Sequence, residues 1–112
     1  MIYDLRTYTL LPGKVAEAMA LYQAEGWPEL SKWKQNLIGY FVSDIGSLNQ
    51  VVHLWAYEGL DQRDKCRAAM QADPAWQTYL AKNRPLMVSQ ETRLMKCAPF
   101  FLERLKKMLA AK

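Results

Sequence analysis

The sequence predicts a single α+β domain with the element order β-α-β-β-α-β, a ferredoxin-like arrangement with one four-stranded antiparallel sheet. Three observations carry this. Four short segments alternate residue types and are rich in Val, Ile, Thr and Tyr, as strands are. The longer segments between them space their apolar residues at three and four, as helices do. The chain has 112 residues, 51% of them hydrophobic and 23% charged, which suits one ordinary domain with one modest core.

The first strand spans Ile2 to Leu10, and Leu11-Pro12-Gly13 supplies the turn that ends it. From Lys14 to Lys34 a helical stripe contains Val15, Ala18, Met19, Tyr22, Leu30 and Trp33. Gly26-Trp27-Pro28 interrupts it, because proline has no amide donor and disfavours helical geometry at the residue before it. A kink or break is expected there, with Trp27 projecting at the bend. Leu37 to Ile45 and Val51 to Glu58 are strands joined by Gly46-Ser47-Leu48-Asn49-Gln50, a hairpin connection. Asp61 is the expected cap of a second helix that runs to about Ala72. Asp73-Pro74 restarts it, with Asp as cap and Pro at the first helical position. Pro85 closes that piece, and Leu86 to Lys96 is the last strand.

In this fold the helices cover one sheet face and leave the other bare. Strand 51–58 places Val52, Leu54 and Ala56 on one side and His53, Trp55 and Tyr57 on the other. The small aliphatic set suits the helix-covered side. That assignment leaves Arg6, Tyr8, His53, Trp55 and Tyr57 on the bare face, a patch too large to stay uncovered. A second copy laid face to face is the economical cover, so a homodimer is expected.

Several classes are excluded. The net charge is +4, and most of it comes from Arg104, Lys106, Lys107 and Lys112 near the end. That is not the distributed basic surface of a nucleic-acid binder. No apolar run is long enough to span a membrane. The opening MIYDLRTYTL reads as a strand rather than a targeting segment, so the expected compartment is cytoplasmic. Cys66 and Cys97 lack ligand spacing, and with His53 as the only histidine no metal site and no cofactor is expected. Phosphate-loop, dinucleotide and nucleophile-elbow motifs are absent.

Y-D-L-R-T-Y-T-L-L-P-G-K at 3–14, L-N-Q-V-V-H-L-W-A-Y at 48–57 and D-P-A-W-Q-T-Y-L-A-K at 73–82 are similar to segments of the NIPSNAP family. The resemblance covers residues 1 to 97. It implies a dimeric α+β barrel, two ferredoxin-like sheets closed on each other around an internal space. The wider superfamily includes cofactor-free monooxygenases, haem-degrading enzymes and muconolactone-type isomerases, while the NIPSNAP family itself has no settled activity. Residues 1–98 are accordingly expected to form the NIPSNAP-like domain, and 99–112 a basic amphipathic tail. In that tail Phe101, Leu105, Met108 and Leu109 oppose Arg104 and Lys107, a pattern suited to docking on its own dimer or to weak contact with a membrane surface or partner.

His53 is the expected catalytic residue, a proton shuttle within a pocket; the alternative is a hydrogen-bonded histidine packed in the dimer core. Arg6, Tyr8, Tyr40, Trp55 and Tyr57 are the expected ligand-binding residues, with Arg6 offering a planar donor fork to an anionic or phenolic group. Arg6 pairing with Asp4 or Glu91 is the competing reading. The function expected is a homodimeric barrel holding a small apolar or aromatic metabolite. A non-catalytic interaction module and a cofactor-independent monooxygenase-like enzyme are the alternatives.

Overall fold

The alternation in Ile2–Leu10 produces the central strand, β1, of the computed structural model, which describes residues 1–111. Strand β1 pairs antiparallel with β3 (Gln50–Tyr57) on one side and β4 (Met87–Met95) on the other. Strand β2 (Leu37–Val42) adds to the far edge of β3, and the order β2-β3-β1-β4 is the ferredoxin-like one. In the β2–β3 connection Asn49 adopts φ 60° and Gly46 φ 107°, left-handed values that asparagine and glycine tolerate best. The Asn49 carbonyl accepts the Leu10 amide at 2.7 Å, so the turn also anchors the end of β1. Strand β2 stops at Val42 rather than Ile45, whose side chain stands almost fully in solvent.

Helix α1 (Val15–Leu21) does not break at Gly26-Trp27-Pro28. It widens into a π-helical turn over Tyr22–Gly26 and continues as α2 (Trp27–Leu30) and a short 3-10 turn (Ser31–Trp33). The Trp27 amide reaches back five residues to the Tyr22 carbonyl, and this wider turn admits the proline ring without ending the run. Glycine is needed at 26 because a Cβ there would lie 2.8 Å from Tyr22 Cδ2 and 2.9 Å from Tyr79 Cζ.

Helix α3 (Leu60–Gln71) starts one residue before the expected cap, with extended Gly59 in that position and Asp61 in the first turn. Gln62 Oε1 accepts the Glu58 amide at 2.7 Å, a reach-back bond that does the work a capping side chain would do. Asp73 caps α4 (Pro74–Asn83) as expected, its carboxylate accepting the Ala75 amide at 2.9 Å. Helix α5 (Leu102–Ala110) half-buries Leu102 and Leu105, while Met108 and Leu109 stay exposed. Among the described residues no helix is long and apolar enough to cross a membrane.

The assignment of sheet faces is the reverse of the one expected. Cross-strand partners share a face, and the pairs Arg6–His53, Asp4–Trp55, Ile2–Tyr57 and Tyr40–His53 define one of them. That face lies under the helices: Trp55 and Tyr57 are buried with Tyr22, Leu30, Cys66, Met70, Trp76 and Tyr79. Leu5, Val52, Leu54 and Phe41 lie on the open face. The physical reason is on the helices, whose inward side chains are themselves aromatic. Rings from both layers span the wide gap between sheet and helices, across which Val and Leu opposite small helix residues would not meet.

Candidate functional site

Between the helix-covered sheet face and helices α3 and α4 lies a cavity of about 450 Å³. Its floor is built by strand alternation: Arg6 and Tyr8 from β1, His53 and Trp55 from β3, Tyr40 from β2, and Gln90 and Thr92 from β4. Its roof comes from the inward stripes of Arg67, Met70 and Gln71 on α3 and Trp76, Tyr79 and Leu80 on α4. Five of the six residues expected to form a site therefore meet here: Arg6, Tyr8, Tyr40, His53 and Trp55. Tyr57 does not. Two residues further along β3, it passes beyond the cavity and stacks beside Trp55 in the core, with ring centroids 6.2 Å apart.

His53 sits in a cage of rings, its centroid 4.1 Å from that of Tyr40, 4.9 Å from Tyr8 and 6.1 Å from Tyr22. No side-chain hydrogen bond engages it among the described residues. Burial, reinforced by the charge of Arg6, pushes its pKa down to about 3. The imidazole is therefore neutral at physiological pH, with one donor and one acceptor nitrogen. Burial also raises the hydroxyl pKa values of Tyr40 and Tyr79, so both rings keep their protons and can donate them in hydrogen bonds.

Of the two ion pairs expected for Arg6, the one with Asp4 forms. Arg6 Nη1 lies 3.6 Å from Asp4 Oδ2 and donates to Thr92 Oγ1 at 2.7 Å, and its Nε donates to Tyr8 Oη at 2.8 Å. Asp4 is fully buried and also accepts from Arg63 Nε at 3.1 Å. Glu91 pairs instead with Arg93 at 3.6 Å, on the exposed strand edge. Sequence reasoning named Asp4 only as a partner for Arg6, and missed Arg63 and Arg67. The available signal was on α3, where Arg63 and Arg67 lie one turn apart beside the buried Cys66 and Met70. Cys66 and Cys97 are both free thiols.

The sequence model of the NIPSNAP family matches residues 3–101. Protein NipSnap homolog 1 of Danio rerio is 35% identical over 97 residues, which are 84% of this chain and 33% of that protein. The chain thus spans about a third of the length of the curated relatives it matches. A crystal structure of a nipsnap family protein with unknown function from Agrobacterium tumefaciens is 39% identical, with TM-score 0.84, covering 89% of this chain and 90% of that one. An antibiotic biosynthesis monooxygenase superposes with TM-score 0.61 at 13% identity, covering 88% of this chain and all of that one; this likeness is one of fold.

Proposed function

The chain belongs to the NIPSNAP family, and we propose that this member binds a small aromatic metabolite between its sheet and its helices. The observation that carries the reading is the cavity itself. Its volume of about 450 Å³ lies within the range that small-molecule sites occupy, and its walls combine tyrosine and tryptophan rings and aliphatic side chains with a set of polar and charged groups. In this proposal the site lies within a single chain rather than in the expected space between two subunits. His53, with its depressed pKa, is a weak base; its role here is to orient a ligand hydroxyl or carbonyl by hydrogen bonding. Arg6, Tyr8, Tyr40 and Trp55 form the remaining ligand surface.

Titrating the isotope-labelled full chain with 2-naphthol and with indole tests this by NMR. The largest shifts are expected at His53, Tyr8 and Tyr40. Shifts confined to open-face residues such as Phe41 and Val52, or no saturation below about 1 mM, the weak end of specific binding, would reject the reading.

A homodimer remains part of the proposal, but through the other sheet face. Leu5, Val52 and Leu54 are half-buried there and the Phe41 ring is 58% exposed, an apolar strip that an identical strip from a second copy would cover. Phe41→Glu is expected to weaken self-association by about thirtyfold or more, the scale of losing an aromatic hot spot. Sedimentation equilibrium checks this, and a wild-type chain that is monomeric at about 100 μM, far above the Kd of ordinary stable complexes, would remove the dimer.

A further inference from the structure

Resting on the cavity being a ligand site, we infer that the ligand is an anion, an aromatic carboxylate, and that Arg67 of α3 is its anchor. Three arginines, Arg6, Arg67 and Arg84, line the cavity against one residue bearing a carboxylate, Glu91. That carboxylate is directed toward Arg93. Arg6 is committed, with bonds to Tyr8 and Thr92 and the Asp4 carboxylate beside it. Arg63, one turn before Arg67, is committed to Asp4 and lies 3.6 Å from Asp64.

Arg67 is different. It is half-buried, lines the cavity, and forms no ion pair or side-chain hydrogen bond among the described residues. Burial and the neighbouring charge of Arg6 both lower its pKa, so the positive charge is held against an unfavourable field. Its five donors are engaged by no protein acceptor among the described residues, so they are free for a ligand. An anion in the cavity offsets the repulsion and accepts from those donors. A carboxylate matches the planar fork with two parallel bonds, which a neutral hydroxyl cannot do. The rings of Tyr8, Tyr40, Trp76 and Tyr79 complete a slot for the flat body that carries it.

The test compares 2-naphthoate with 2-naphthamide, which share a shape and differ in charge, by isothermal titration of the full chain. The acid is expected to bind at least about tenfold more tightly, the ratio that a charge-assisted pair supplies. Arg67→Gln is expected to erase that preference while leaving the amide's affinity within about twofold, a change too small for a lost hydrogen bond. Arg67→Lys should keep part of it, and Lys106→Gln on α5 all of it. If Arg67→Gln fails to fold, judged by its thermal transition, the acid–amide ratio in the wild type and Arg67→Lys decides. Equal binding of acid and amide overturns the anion assignment and leaves the aromatic site standing. Binding of neither probe overturns both.

Discussion

Asp4→Asn is expected to destabilise the domain by about 3 kcal/mol, the lower end of what breaking a buried ion pair costs. Asp4 is fully buried, and its carboxylate answers two guanidinium groups, Arg63 at 3.1 Å and Arg6 at 3.6 Å. Asparagine keeps the shape but removes the charge, so Arg6 loses its counter-ion and Arg63 keeps only the exposed Asp64 carboxylate at 3.6 Å. The lower end of the range applies because the two arginine side chains retain 18% and 12% of their exposure. Urea unfolding measures the loss. A change within about 0.5 kcal/mol, as for an ordinary surface substitution, would show that the triad contributes little. A double-mutant cycle of Asp4→Asn with Arg63→Gln separates the pair from the site, because removing both partners of a coupled pair costs less than the sum. The same substitution also reaches the cavity. Asp4 holds Arg6, and Arg6 holds the hydroxyls of Tyr8 and Thr92, so the floor of the pocket loses its order together with the charge.

The strand and helix order was legible because alternation and helical spacing are local properties, and segments such as Ile2–Leu10 and Pro74–Asn83 carry them without help from elsewhere. The hairpin at Asn49 and the cap at Asp73 were legible for the same reason: each is turn chemistry within a few residues. The face of the sheet that meets the helices was not. Alternation divides β3 into His53, Trp55, Tyr57 and Val52, Leu54, Ala56, yet it does not say which set lies inward. Side-chain size pointed to the aliphatic set, whereas the deciding fact is that Tyr22, Trp76 and Tyr79 face inward from two separate helical segments. The aromatic surplus did mark a covered surface, and the chain's own helices cover it. The pairing of Asp4 with Arg63 was invisible for a different reason, since Arg63 is 59 residues away in sequence and only the β1–α3 packing brings them together. The five pocket residues were found together because they share a face, whichever way that face points. Arg67 was missed because a lone arginine on a helix is ordinarily solvated.

Acidification from pH 7 to 5 is expected to cost the wild-type chain about 2 kcal/mol through His53 alone. The groups facing the imidazole are Arg6 and Tyr8 from β1, Tyr40 from β2 and Tyr22 from the π turn, and none offers an anion to a protonated ring. Its folded-state pKa of about 3 therefore lies below the value near 6.5 of the unfolded chain. On acidification the unfolded state takes up the proton first. Between about pH 6.5 and 3, stability accordingly falls as pH falls; above that window both states are neutral and the residue contributes no pH dependence. Carboxylates that lose their partners in acid add to the same trend, so the wild-type curve by itself does not isolate the histidine. The difference between wild type and His53→Gln does, because glutamine is polar but does not titrate in this range. The gap between their unfolding free energies should close steadily from pH 7 to 4, and parallel curves would show an imidazole that protonates in the folded state as readily as in the unfolded one. The outcome bears on the site as well as on stability. A neutral His53 leaves the charge of the cavity to its arginines and Glu91, and reserves the imidazole for a directional hydrogen bond.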